Sequence, residues 1–149
     1  MIERADSAII NVMNRIALPA ARIAIFVVFF WFGALKVFGL SPASPLVASL
    51  LERTLPFMTF NVFIVWFGIF EMVIGLTFLF PGLERLAIAL LFPHMAMTAM
   101  PLFLLPQITW SGWFVPTLEG QYIIKNLAIV ALVLSLAARL HPFKKRAIL

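Results

Sequence analysis

The sequence predicts an all-α integral membrane protein: a four-helix bundle with a short N-terminal interfacial helix and a short extracytoplasmic helix between the first and second spans. Composition is the first reason. Of 149 residues, 64% are hydrophobic and 11% are charged, against roughly 45–50% and about 25% in soluble domains. The second reason is that four stretches approach the roughly 20 apolar residues that a spanning helix needs. We therefore expect residues 1–149 to form one membrane domain.

The N-terminal residues predict an amphipathic helix that lies on the cytoplasmic leaflet and ends before Pro19. Asp6 or Ser7 can cap its N-terminus. The apolar residues of this segment share one helical face: Ile9, Ile10, Met13, Ile16 and Ala17. A helix with this pattern buries its apolar face at the headgroup boundary and keeps its polar face in water.

The four spans are expected at approximately residues 20–40, 61–80, 86–105 and 121–139. The Pro81-Gly82 pair marks the turn between the second and third spans, and segment 106–120, rich in proline and glycine, separates the third span from the fourth. Between the first two spans, a break with two prolines at 41–45 precedes a short surface helix over residues 46–55.

The lysine and arginine residues outside the spans predict the orientation. Most fall on one side of the membrane: Arg4, Arg15, Arg22, Arg85, Arg139, Lys144, Lys145 and Arg146. Arg53 falls on the other side. Because loops rich in lysine and arginine stay on the cytoplasmic side, both termini are expected in the cytoplasm.

The composition excludes several classes of function. The chain contains no cysteine, which removes disulfides, thiolate metal sites and cysteine nucleophiles. Its two histidines are too few for a histidine-rich metal site, and its aromatic residues lie within apolar runs, which argues against nucleic-acid binding. No nucleophile–base pair or phosphate-binding glycine loop is recognisable. We therefore expect neither a stand-alone enzyme nor a covalent cofactor.

One ionisable residue interrupts each span: Lys36, Glu71, His94 and Lys125. At a rise of about 1.5 Å per residue, Glu71 and His94 fall near mid-depth, whereas the two lysines fall a turn or two below the outer surface. Each charge costs on the order of 2.5–3.5 kcal/mol at a helix centre, so it should face protein or a wet cavity. We expect these four side chains to form an intramembrane polar or ligand-binding site.

The residues leave a structural alternative open for each member of this site. Lys36 and Lys125 can extend their ammonium groups to the outer interface instead. Glu71 lies too deep for that, so it is either the ion-pair partner of one lysine or a protonated acid suited to proton transfer. His94 follows Pro93, and its imidazole either bonds within the bundle or serves as an axial ligand to haem or chlorophyll.

Small residues lie on the same faces as two of these side chains. Gly68 and Gly75 share the Glu71 face of the second span, and Gly33 and Gly39 share the lysine face of the first. Because glycine lets two helix backbones approach closely, these faces predict helix–helix contact with the polar groups turned inward.

The first span ends in Trp31-Phe32-Gly33-Ala34-Leu35-Lys36-Val37-Phe38, which resembles the W-x-G-x-x-K-F signature of DoxX-like membrane proteins. Three further segments resemble, in order, the reactive-chlorine-resistance membrane protein branch of that superfamily: residues 44–49, Gly68-x-x-Glu71-x-x-Ile74-Gly75, and Glu119-Gly120-Gln121-Tyr122-Ile123-Ile124-Lys125-Asn126. The resemblance covers residues 22–135. Gln121 and Asn126 stand where the branch commonly has Arg and Asp, which leaves Glu71 as the nearest counter-ion for Lys125.

The resemblance implies a four-helix protein of the bacterial cytoplasmic (inner) membrane, in a superfamily tied to quinone-linked thiosulfate oxidation and to oxidant defence. The first hypothesis is therefore a quinone-linked redox or oxidative-stress accessory module, with quinone or lipid bound at the bundle surface. The alternative is a non-catalytic structural subunit of a larger membrane complex, respiratory or otherwise energy-transducing. A proton or small-solute pathway through Glu71 and His94 is the third. Membrane lipid, with other membrane subunits or further copies of the chain, is the expected set of partners.

Overall fold

The computed structural model describes residues 2–140. Within this range, four helices are long and apolar enough to cross a membrane: Glu3–Val37, Phe60–Leu79, Glu84–Leu104 and Leu118–Ala137. The chain is therefore a multi-pass, all-α membrane protein, as predicted, and the limits of its second to fourth spans agree with the expected ones to within about three residues. Lys144, Lys145 and Arg146, on which the predicted orientation partly depends, lie outside the described residues.

The elements follow one another along the chain as α1 (Ile2–Val37), α2 (Ser44–Thr54), α3 (Phe60–Leu79), α4 (Glu84–Ala99), α5 (Pro101–Leu104), α6 (Pro106–Thr109), β1 (Trp110–Gly112), β2 (Val115–Pro116) and α7 (Leu118–Ala137). The two strands form an antiparallel hairpin. Successive spanning helices run in opposite directions, so α2 and the hairpin lie at one end of the bundle, which we call the hairpin end. The opposite end, where α3 and α7 finish and α4 begins, is the Arg22 end.

α1 differs from the prediction, because it runs without a break through Pro19. A proline inside a helix removes one backbone hydrogen bond, here the one to the carbonyl of Arg15. Both residues are exposed, so solvent can satisfy the freed carbonyl. Residues 3–17 are exposed throughout, and the structure has one long helix where the sequence predicted two elements.

The C-terminus of α1 is set by Gly39 rather than by the prolines that follow it. Gly39 has φ of +71°, a conformation that glycine adopts without a steric penalty. Its N–H donates to the carbonyl of Lys36 at 3.1 Å, and the N–H of Leu40 donates to the carbonyl of Leu35 at 2.8 Å. These two bonds define a Schellman motif, which satisfies the last carbonyls of the helix. Gly39 is therefore a helix cap and does not belong to the predicted packing face.

α1 and α3 pack through glycine, as the small-residue pattern predicted. A Cβ at Gly68 would lie 2.6 Å from the carbonyl oxygen of Gly33, and one at Gly75 would lie 2.9 Å from the backbone nitrogen of Phe30. A side chain at either position would collide with backbone, so glycine lets the two helix backbones come into direct contact. This contact brings the polar residues of both helices to one depth.

The apolar core lies toward the Arg22 end and draws on all four spanning helices. Its buried members are Ile25, Phe29, Ile74, Phe78, Ala87, Leu91, Met95 and Val133. At the hairpin end, the Thr117 hydroxyl caps α7 by accepting from the N–H of Gly120 at 3.2 Å and donates to the carbonyl of Ile108 at 2.7 Å. That residue therefore ties the start of α7 to α6.

Candidate functional site

Three of the four predicted polar residues meet in the interior of the bundle. Lys36 of α1 places its Nζ 2.6 Å from Oε2 of Glu71 on α3, and His94 of α4 places its Nε2 2.9 Å from Oε1 of the same carboxylate. We call these residues the buried triad. Their exposed fractions are 6%, 5% and 3%, so each polar head is removed from both lipid and solvent.

Lys36 turns inward instead of extending to the outer interface. Besides its bond to Glu71, its ammonium lies 3.5 Å from the carbonyl oxygen of Phe32 and 5.5 Å from the ring centroid of Phe67. A desolvated ammonium over an aromatic face is stabilised by the ring quadrupole. Of the two alternatives for Lys36, the ammonium extended to the outer interface does not agree with this geometry, because Lys36 is buried and paired with Glu71.

Glu71 accepts one bond on each carboxylate oxygen, which is why it can occupy mid-depth. The ammonium of Lys36 supplies the opposite charge, and the imidazole of His94 supplies a second donor. A buried carboxylate is tolerable only when it is paired and hydrogen-bonded in this way. The ion-pair alternative for Glu71 therefore agrees with the geometry.

Aromatic rings surround the imidazole of His94. Phe67 stacks on it with centroids 5.2 Å apart and an interplanar angle of 12°, Phe29 meets it edge-on at 5.2 Å, and Phe70 lies 6.1 Å away. Nδ1 of His94 is buried and has no hydrogen-bond partner among the described residues. This ring nitrogen is thus the one unsatisfied polar atom of the triad.

The hydrogen bonds indicate the tautomer of His94. Glu71 as a carboxylate can only accept, so the proton of His94 belongs on Nε2, and Nδ1 carries a lone pair. The triad therefore presents a carboxylate-oriented imidazole whose free nitrogen can accept a proton or bind a ligand.

Lys125 does not join the triad, although the sequence predicted convergence. Its side chain is exposed, and its ammonium lies 5.3 Å from the ring centroid of Tyr122, one turn earlier on α7. α7 packs mainly on α4 and turns this face away from the bundle interior. The site prediction needs this correction: Glu71 is the counter-ion of Lys36, not of Lys125, whose environment favours the alternative of an ammonium extended to the interface.

The sequence interpretation missed two features of the interior. The first is the aromatic enclosure of His94, since Phe67 and Phe70 are two of sixteen phenylalanines and periodicity alone does not separate them from the lipid-facing ones. The second is an ion pair between Arg22 and Glu84 at the Arg22 end. The sequence could have predicted this ion pair, because the first and third spans run in the same direction and therefore begin at the same end of the bundle.

Over residues 2–140, no group of three or more histidine, aspartate or glutamate side chains is arranged to hold a metal ion. Comparison of the chain with protein-family models, curated proteins and solved structures finds no match in any of the three.

Proposed function

We propose that this chain is a DoxX-like accessory module of a quinone-linked redox or oxidant-defence system in the bacterial cytoplasmic membrane, and that the buried triad is its polar centre. The observation that carries the proposal is the free Nδ1 of His94 in an aromatic enclosure. An unsatisfied buried acceptor is costly in a structural site and is expected where a ligand supplies the missing donor.

The chemistry of a hydroquinone suits this atom. Its hydroxyl group can donate to Nδ1 of His94, and its flat ring can lie against the phenylalanine rings. For each electron that a bound hydroquinone would give to a redox centre in a partner protein, one hydroxyl proton would be released. Nδ1 of His94 would take that proton, and the carboxylate of Glu71 would stabilise the resulting imidazolium, as a carboxylate does for a catalytic histidine. Because the chain would hold the ligand and move the proton while the partner takes the electron, the proposed role is that of an accessory module.

Access to the triad lies through α3. Phe67 and Phe70 both contact the imidazole and are only partly buried, so they separate His94 from the surface of the bundle. We expect a ligand that diffuses in the bilayer to reach the imidazole by displacing one of these two rings. The module is therefore expected to bind quinone from the lipid phase.

The test begins with the tautomer. In Glu71→Gln, a single amide oxygen must serve Lys36, so the amide NH₂ faces His94 and donates to Nε2, which moves the ring proton to Nδ1. Nitrogen NMR of histidine-labelled protein should report this inversion, with a His141→Asn background isolating the signal of His94. An unchanged tautomer would contradict the hydrogen-bond assignment.

The second part of the test measures electron transfer and bound quinone for the same variant, Glu71→Gln, expressed in native membranes. Because general-base catalysis contributes about 10²–10⁴-fold, Glu71→Gln should lower quinone-dependent electron transfer at least tenfold and should reduce the quinone extracted from the purified protein. Lys125→Met is the matched control, since its lysine is exposed and lies outside the triad, and it should retain both. Absence of quinone from the preparation, with activity unaltered in Glu71→Gln, would exclude the proposal.

A second candidate is a structural subunit of a larger membrane complex, and α1 favours it. Residues 3–17 leave an apolar face uncovered: Ile9 and Met13 are each 59% exposed, and Ile16 is 56% exposed. The sequence expectation of an interfacial helix on the cytoplasmic leaflet concerns the same face. Affinity purification from native membranes separates these roles. If the apolar face is a subunit contact, the double variant Ile9→Asn with Ile16→Asn should lose a subunit that copurifies in stoichiometric amount with the parent chain. Asn14→Ala, which lies off the apolar face, should retain that subunit.

A further inference from the structure

A partly enclosed cavity lies at the Arg22 end, where all four spanning helices meet. Its volume is about 150 Å³. The lining residues come from α1, the end of α3, the start of α4 and the last turn of α7 with the residues after it, and they include Arg22, Phe78, Glu84, Ile88, Leu136 and Arg139. The cavity thus combines apolar walls with two arginines and one carboxylate.

The two arginines of this cavity differ in their partners. Arg22 forms an ion pair with Glu84, and the second oxygen of Glu84 accepts from the backbone N–H of Gly82 at 2.8 Å. The carboxylate is therefore neutralised and would repel an approaching anion only weakly. Arg139 is exposed and makes no side-chain hydrogen bond or ion pair with another residue of 2–140.

The ends of the spans place this cavity at the headgroup level of a bilayer. α3 ends at Leu79, α4 begins at Glu84 and α7 ends at Ala137, so the cavity lies where three spans meet the interface. Its apolar lining residues, among them Phe78, Ile88 and Leu136, belong to the spanning helices themselves. A ligand held here must therefore present an anion beside a hydrophobic body.

We propose that this cavity binds the headgroup phosphate of an anionic phospholipid, with the guanidinium of Arg139 donating to the phosphate oxygens. Planar guanidinium groups match phosphate geometry, and basic pockets between spanning helices at the membrane surface bind anionic headgroups. Sites for drug-sized ligands run from about 300 to 1,000 Å³, so a cavity of about 150 Å³ suits a headgroup whose acyl chains remain in the bilayer.

The experiment counts bound lipid on the purified full-length protein by native mass spectrometry. Phosphatidylglycerol and phosphatidylcholine with identical acyl chains are titrated separately, and we expect phosphatidylglycerol to bind more tightly. Because one basic contact at a membrane surface contributes about 1 kcal/mol, Arg139→Gln should weaken this binding about fivefold. Arg139→Lys keeps the charge and should retain most of the affinity. Arg53→Gln removes an exposed arginine at the hairpin end and should bind like the parent chain.

Three results would overturn the proposal. Equal binding of the two lipids would remove the requirement for an anionic headgroup. Unchanged selectivity in Arg139→Gln would show that another basic group is responsible. Displacement of the lipid by millimolar inorganic phosphate would assign the cavity to the free anion instead. Far-ultraviolet circular dichroism of each variant guards against loss of fold, which is not expected because Arg139 is exposed.

Discussion

Strong energetic coupling between Lys36 and Glu71 is the sharpest consequence of the buried triad. Lys36→Met leaves the Glu71 carboxylate at 5% exposure with only the His94 bond, and Glu71→Leu leaves the ammonium without a counter-ion. Removing one partner of a buried ion pair costs about 3–5 kcal/mol, whereas replacing both by apolar residues is often neutral. In the double variant Lys36→Met with Glu71→Leu, the Nε2–H of His94 has lost its acceptor, which costs about 1–3 kcal/mol.

The magnitudes define a double-mutant cycle. Two single losses of about 3–5 kcal/mol each, set against a double loss of about 1–3 kcal/mol, correspond to a coupling energy of about 3 kcal/mol or more. Reversible unfolding in mixed micelles, followed by helicity and tryptophan fluorescence, provides the free energies. Lys125→Met should change the unfolding free energy by less than about 0.5 kcal/mol, as surface substitutions usually do. Additive single effects, or a loss below about 1 kcal/mol for Lys36→Met, would refute the desolvated ion pair.

Two further predictions concern backbone packing and capping. Gly68→Ala would place its Cβ 2.6 Å from the carbonyl oxygen of Gly33 and should destabilise the bundle by about 1–3 kcal/mol in the same unfolding assay. The control is Gly112→Ala, which should be tolerated because its Cβ would lie 3.9 Å from Val115. Equal losses of unfolding free energy in the two variants would contradict the packing argument. Thr117→Ala removes the N-cap of α7 and should lower the free energy of unfolding by about 1 kcal/mol. Amide hydrogen exchange in the first turn of α7 should become faster. Unaltered exchange in that turn would exclude a capping role.

The limits of α1 illustrate where sequence patterns mislead. Pro19 predicts a boundary because a proline in a helix interior costs about 3 kcal/mol or more. α1 nevertheless continues through it, and the backbone hydrogen bonds retained on both sides of Pro19 offset that cost. At the other end, prolines after residue 40 predict the stop, but Gly39 ends the helix two residues past Val37. The break predicted at Pro19 is absent, and the local hydrogen bonds around Gly39 set the end of the helix.

The candidate site was predictable in part. Charge inside an apolar span is conspicuous, so Lys36, Glu71 and His94 could be selected from the sequence alone, and the need for a partner followed from the cost of burial. Lys125 met the same criterion at the same depth. Lys125 nevertheless lies outside the triad because of the rotation of α7 about its own axis. The sequence does not predict that rotation, since the four helices are apolar on nearly all faces.

By itself, the sequence determined that the chain crosses a membrane four times and that a few polar groups must be hidden from lipid, because both follow from transfer free energies summed along the chain. The tertiary structure decided which groups meet. The glycine contact of α1 with α3 sets Lys36 opposite Glu71, and the packing of α4 aims His94 at the remaining carboxylate oxygen. Those pairings depend on the rotation of each helix and on distances of a few ångströms. Hydropathy is an average over many residues and does not contain this information, whereas side-chain packing specifies it.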